Sequence, residues 1–81
     1  MVNAFRYVLD DNLYTAFSQL VRLENGRKVF EITSPDLTDE VFEFIETGFD
    51  GAPYKITESN FLSPFSQILI KWFSDYKLLS D

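Results

Sequence analysis

The residues of this sequence that are best suited to chemistry are acidic, and most of them lie in one stretch. Between Lys28 and Lys55 there is no basic residue. A dense run of carboxylates produces a negative field that attracts basic surfaces. On a helix, like charges three or four residues apart repel one another. A helix that carries them without Lys or Arg is typical of a surface that uses its field on a partner. The acidic residues of this stretch are Glu31, Asp36, Asp39, Glu40, Glu43, Glu46 and Asp50.

A helical wheel over residues 36–47 gathers most of these acids on the side opposite the apolar stripe. Phe42 lies outside that stripe, and Phe49 lies in a loop flanked by glycines. Apolar anchors beside a charged rim are typical of protein interfaces. Under the alternative interpretation, the acids favour the helix dipole near its start and keep the domain soluble. The predicted partner-binding residues are Asp36, Asp39, Glu40, Phe42, Glu43, Glu46, Phe49 and Asp50.

Catalytic and metal sites find no support in the sequence. Cys and His are absent, which removes the usual zinc ligands, thiol nucleophiles and imidazole bases. A calcium loop that opened at Asp36 would need Gly at its sixth position and Glu at its twelfth, where this chain has Val41 and Thr47. We therefore predict a protein that is not an enzyme and that uses no metal and no cofactor.

The C-terminal stretch from Phe61 to Leu79 is the strongest candidate for the centre of the fold. Ser63 can cap a helix, and Pro64 suits its first turn. The apolar side chains that follow recur at three- and four-residue steps and cover an arc of roughly 140°. Ile70 and Leu78 fall outside that arc. The residues of the predicted buried stripe are Phe65, Ile68, Leu69, Trp72, Phe73, Tyr76 and Leu79.

The N-terminal part begins with a predicted strand, Ala4 to Leu9, which is followed by a turn over residues 10–12 that could also cap a helix. Residues 13–24 fit two structures. A helix places all of their apolar side chains on one half of its wheel. A hairpin closed by Asn25-Gly26 would instead pair residues 19–24 with residues 27–32. An unbroken strand from Leu13 would place several apolar residues outward, and the helix is therefore the favoured interpretation.

The rest of the chain completes the predicted fold. Residues 27–33 form a strand, a helix runs from Ser34-Pro35 to about Thr47, residues 54–57 form a short edge strand, and residues 58–62 lead into the last helix. Residues 1–81 make a single compact domain. The predicted class is α+β, with a small three-stranded sheet covered by two or three helices.

Composition limits the partners. The 81 residues carry seven basic and thirteen acidic side chains, with a net charge of −6, which argues against direct binding of nucleic acid. No signal peptide or membrane span is recognisable, and we expect a cytoplasmic protein.

In being small, acidic, aromatic-rich and free of Cys and His, the chain resembles the small inhibitors encoded by phages and other mobile elements. Some of these are DNA mimics or anti-CRISPR proteins that block basic clefts. The resemblance covers no aligned residues and transfers no site.

Two functional hypotheses follow. The first is a protein-binding module, an inhibitor that occupies the basic, nucleic-acid-handling surface of a target protein through the acidic helix. The second is a structural subunit that self-associates across a two-fold axis through Ile70 and Leu78 on the last helix. A monomer and a homodimer both remain open at this point.

Overall fold

The computed structural model describes residues 1–57 and 63–80, which form one curled antiparallel sheet and a C-terminal helix. The sheet order follows the chain. The predicted three-stranded sheet with two or three helices is therefore wrong: in the described residues there are five strands and one helix. These elements are β1 (Val2–Leu9), β2 (Asn12–Glu24), β3 (Arg27–Thr33), β4 (Val41–Phe49), β5 (Ala52–Ile56) and α1 (Pro64–Ser80).

Two-residue turns close the first two hairpins. Asp10 and Asp11 have φ values of 52° and 65°, and Asn25 and Gly26 have values of 52° and 79°. Positive φ at both central residues is the type I′ geometry, whose twist matches that of paired strands. The hairpin interpretation of residues 19–32 is thus confirmed, and both the helix predicted over residues 13–24 and the helix-capping role of residues 10–12 are wrong.

A β-bulge explains why the sequence pattern of β2 did not indicate a strand. The register between β2 and β3 shifts between Leu20 and Arg22, so that Val21 is an extra residue. Such an insertion reverses which side chains face the core. Before the bulge Tyr14 and Ala16 therefore face the core, and Ala16 is fully buried. Unbroken alternation, counted back from the Asn25-Gly26 turn, had assigned them to the outside.

The segment predicted as a helix from Ser34 to Thr47 is a turn followed by β4. The carbonyl of Ser34 accepts N–H bonds from Leu37 and Thr38 at 2.8 and 3.0 Å, but the helix does not continue. A strand places Phe42 and Phe44 on one face, and both are fully buried. A helix would have exposed Phe42, so burial of both rings favours the strand.

Helix α1 is confirmed, and Ser63 precedes it as predicted. The Ser63 hydroxyl accepts the N–H of Phe65 at 3.3 Å, while Leu69 and Phe73 are fully buried. Leu79, predicted in the buried stripe, is instead 88% exposed. The lead-in predicted over residues 58–62 lies outside the described residues. The ring of Phe73 contacts those of Phe5, Phe30, Phe44, Tyr54 and Tyr76.

The curled sheet has a concave face, which α1 covers, and a convex face. The strands predicted for residues 4–9, 27–33 and 54–57 are confirmed as β1, β3 and β5. β1 and β5 are the two edges of the sheet. On the concave face the core is built from Phe5, Tyr7, Ala16, Phe30, Ile32, Phe42, Phe44, Leu69 and Phe73.

Candidate protein-binding surfaces

Two chain connections place carboxylates at the same end of the sheet. β3 ends at Thr33, opposite Phe17, and the β1–β2 turn lies just beyond Asn12, five residues further along β2. The turn therefore extends roughly 17 Å beyond the end of β3, and the β3–β4 connection lies beside the strands that lead to it. Neither connection contains Lys or Arg. Glu40 is half-buried and the other acids there are exposed. We call this the acidic end, and it consists of Asp10, Asp11, Asp36, Asp39 and Glu40.

The β3–β4 connection is anchored by the buried hydroxyl of Ser34. This hydroxyl donates to the carbonyl of Thr15 at 2.9 Å, so Tyr7, whose hydroxyl lies 2.7 Å away, donates to Ser34. Burial raises the pKa of the Tyr7 phenol, the Ser34 hydrogen bond opposes this, and Tyr14 and Asp36 reinforce it. The phenol therefore remains protonated and can serve as the donor.

The other end of the connection is tied to the start of α1. Ser63 donates to the carboxylate of Glu40 at 2.9 Å. The backbone N–H of Glu40 is bonded to the Thr38 hydroxyl at 3.3 Å. Leu37, between these two anchors, packs against the hydrophobic core. Asp36 and Asp39 are thus held on a connection whose two ends are fixed, and little ordering is needed when a partner binds.

Glu43 and Glu46, predicted on the same face as the acids of this end, lie on β4 and face opposite sides of the sheet. Glu43 makes a two-pronged ion pair with Arg22 on the convex face, at 3.0 and 2.9 Å. The guanidinium lowers the pKa of Glu43, which burial partly opposes. Glu46 accepts the backbone N–H of Lys28 at 2.8 Å. Both carboxylates therefore already have partners within the chain.

The aromatic anchors predicted for the interface are separated by the structure. Phe42 is fully buried on the concave face, so its proposed role as an exposed anchor is wrong. Phe49 is 72% exposed, and Asp50 is exposed beside it. Phe49 ends β4 and Asp50 begins the β4–β5 turn, at the end of the sheet opposite the acidic end. The predicted acidic helix therefore does not exist, and its residues occupy three separate places.

An open groove of about 1120 Å³ lies at that opposite end, between the hairpin turns and the last turns of α1. It brings Phe49 and Asp50 together with Ile70 and Leu78, residues that the sequence had assigned to two different hypotheses. Ile70 is half-buried and packs against the core, whereas Leu78 is 79% exposed. Of the pair predicted for self-association, only Leu78 is therefore available as an exposed anchor.

The charges along this groove are mixed in sign. Three basic side chains line it, and three acidic side chains accompany them: Arg27, Lys71 and Lys77, with Glu46, Asp50 and Asp75. At one wall the Arg27 guanidinium lies against Gly48, where an added Cβ would meet it at 2.8 Å. Charges that alternate in sign over a short distance cancel at long range. The groove therefore lacks the field of the acidic end.

Sequence reasoning identified Asp36, Asp39 and Glu40 but did not include Asp10 and Asp11 in the same surface. The β1–β2 turn lies at the same end as the β3–β4 connection only because the strands form a meander, and the helix interpretation of β2 did not include that meander.

Within residues 1–57 and 63–80, no three acidic side chains are placed to hold a metal ion. The described part of the chain also has no helix that is long and apolar enough to cross a membrane.

Comparison of the chain with protein families, curated proteins and solved structures gave no match.

Proposed function

We propose that this protein is a non-enzymatic binding module whose acidic end docks on a basic surface of another protein. The observation that carries the proposal is the group of exposed carboxylates, Asp10, Asp11, Asp36 and Asp39, on two connections at one end of the sheet that contain no Lys or Arg. The connection that bears Asp36 and Asp39 is anchored at Ser34 and Glu40. Fixed charges of one sign steer a complementary partner and disfavour partners of the same sign.

The proposed partner is a nucleic-acid-handling protein, because such proteins carry basic clefts in which phosphates bind. Occupying that cleft would inhibit the partner, in the manner of a phage-encoded DNA mimic. The protein itself, with its net charge of −6, would not bind the nucleic acid. We propose a cytoplasmic location, which suits a fold that uses no disulfide.

The alternative of self-association through α1 retains one supporting observation, the exposed side chain of Leu78. Ile70 adds little to it, because its side chain is already engaged with the core. We therefore favour the acidic end.

Two charge-matched variants test the proposal. The acidic-end variant carries Asp10→Asn, Asp36→Asn and Asp39→Asn, and the control carries Glu31→Gln, Asp50→Asn and Asp75→Asn. Each change is nearly isosteric, Asn is accepted in a type I′ turn, and both variants move the net charge from −6 to about −3 at neutral pH.

Affinity capture from source-cell lysate, at low and at high salt, compares both variants with the wild type. We expect the wild type and the control to retain the same basic protein at low salt, and we expect added DNA to release it. The acidic-end variant should lose it. Equal capture by the two variants would contradict the proposal, because net charge alone would then suffice.

A further inference from the structure

The two edges of the sheet differ in how well they are protected against pairing with another strand. β5 has five residues, contains Pro53 and Lys55, and follows a register shift between Glu46 and Phe49. Short length, proline, lysine and bulges are the features that keep a sheet edge from pairing. β1 has eight residues with no proline, no lysine and no register shift against β2. Its only charged side chain is that of Arg6.

The register shows which backbone groups of β1 face outward. Leu9 and Asn12 close the two-residue hairpin, and the closing pair of such a hairpin exchanges both of its hydrogen bonds. Alternation then directs the backbone of Asn3, Phe5, Tyr7 and Leu9 toward β2. The N–H and C=O groups of the even-numbered residues, Val2, Ala4, Arg6 and Val8, point away from the sheet. Among the described residues, no backbone bond outside the β1–β2 ladder reaches these groups.

We propose that the β1 edge pairs antiparallel with the β1 edge of a second copy of this chain. In such a pairing, each even-numbered residue, whose backbone faces outward, must lie opposite an even-numbered residue of the second copy. The numbers of two opposed residues therefore add to the same even total along the whole interface. A sum of 12 would place Arg6 against Arg6 of the second copy, a like-charge pair that destabilises a sheet. A sum of 10 places Ala4 opposite Arg6 and Val2 opposite Val8, and it uses the whole strand.

The exposed side chains of β1 support this register. Val2 and Val8 are 56% and 51% exposed on the convex face, and pairing would place each against the other across the interface. Apolar cross-strand pairs of this kind stabilise sheets. The two-fold axis would pass beside Phe5, and about eight backbone hydrogen bonds would form. The two acidic ends would point in opposite directions, so both would remain free.

The first test is light scattering over a concentration series, with Val8→Pro and Val8→Thr compared with the wild type. Val8→Pro removes an outward N–H and leaves the β1–β2 ladder intact, as proline in an edge strand can. By symmetry two hydrogen bonds are lost, which should weaken the dimer about 30-fold. Val8→Thr keeps the N–H and should remain dimeric. A wild type that is monomeric at millimolar concentration would overturn the proposal.

A register test remains decisive even if the proline variant does not fold. The chain has no cysteine, so Ala4→Cys and Arg6→Cys each introduce a unique thiol. Opposed Cα atoms of a hydrogen-bonded pair lie about 5.5 Å apart, within disulfide range. A mixture of the two variants should form the disulfide-linked heterodimer, whereas either variant alone should not.

Amide hydrogen exchange checks the same pairing in the unmodified protein. As protein concentration rises, the amides of Ala4, Arg6 and Val8 should become protected, while those of Phe5 and Tyr7 should be protected throughout. A dimer whose even-numbered amides stay unprotected would overturn the proposal and point to another interface, such as one around Leu78. Loss of capture by the acidic-end variant would not bear on this result, so the two proposals fail separately.

Discussion

The two ends of the sheet are built in opposite ways. At the acidic end the charges are of one sign, and the β3–β4 connection that bears three of them is anchored to the core by the fully buried hydroxyl of Ser34. At the groove end, charges of both signs and exposed apolar side chains surround an open space, and the turn is held by exposed hydrogen bonds of Thr47. The first arrangement suits attraction at a distance, and the second suits contact at short range. The difference is our main reason for placing partner recognition at the acidic end.

Helix α1 begins beside Glu40 at the acidic end and ends at the groove. Removing the Phe73 ring near its centre should have the largest effect on stability. Phe73 is fully buried, and Phe73→Ala should lower the free energy of unfolding by about 3–5 kcal/mol. Leu79→Ala is the control, since an exposed side chain should change stability by less than about 0.5 kcal/mol. Urea denaturation measures both. A cost below about 1 kcal/mol for Phe73→Ala would contradict the packing described above.

The contrast between the ends can be tested through one hydroxyl at each. Ser34→Ala leaves the buried Tyr7 hydroxyl and Thr15 carbonyl without their shared partner, which should cost about 1–3 kcal/mol. At the groove end, Thr47 donates to the carbonyl of Ala52 and accepts the N–H of Phe49. These bonds are exposed, and water can replace them, so Thr47→Val should cost no more than about 0.5 kcal/mol.

Urea denaturation of Ser34→Ala and Thr47→Val measures the two losses of stability. The Tyr7→Phe single variant and the Tyr7→Phe, Ser34→Ala double variant provide a further check. If the Tyr7–Ser34 bond matters, the double variant should lose less than the sum of the two single losses. Equal costs at the two ends would show that the acidic end is no better anchored than the groove end.

How much of this arrangement the sequence could predict depended on the bulge in β2. β1 was predicted from its alternation and α1 from its helical spacing, because both patterns are unbroken. β3 was predicted from its apolar content, which includes Val29, Phe30 and Ile32.

In β2 the extra residue near Leu20 breaks the alternation, and apolar residues lie on both faces of the strand: Ala16 is buried, whereas Leu13 and Phe17 are exposed. A helical wheel fitted this mixture better than a regular strand did. In β4, Phe42 and Phe44 show strand alternation, but the Ser-Pro signal before them favoured a helix.

The sequence could predict only part of the candidate site, for a similar reason. Asp36, Asp39 and Glu40 were recognised because they are neighbours in the sequence. Asp10 and Asp11 join them only through the order of the strands, which no local pattern reveals. The partners of Glu43 and Glu46 likewise come from neighbouring strands.

The smallest expected effect lies between the two ends, at the pair of Arg22 and Glu43. Because the folded protein lowers the pKa of Glu43 below its ordinary value of 4.5, the pair stabilises the fold above about pH 4.5. That contribution should disappear as the pH falls through the lowered value. The pair is partly exposed, and surface ion pairs contribute little.

The stability difference between wild type and Glu43→Gln, measured from pH 7 to pH 3, tests this expectation. It should be small and constant down to about pH 5 and then shrink toward zero. A difference that grows on acidification would contradict the assigned direction of the pKa change.

The most direct test of the central claim is the association rate of the captured partner with the wild type and with the two charge-matched variants. It should be measured at ionic strengths of about 0.05 M and 0.5 M, between which screening becomes strong. At low salt we expect the acidic-end variant to associate at least about tenfold more slowly than the control variant. At high salt the rates should converge. Equal rates for the two variants at low salt would show that the acidic end does not steer the partner.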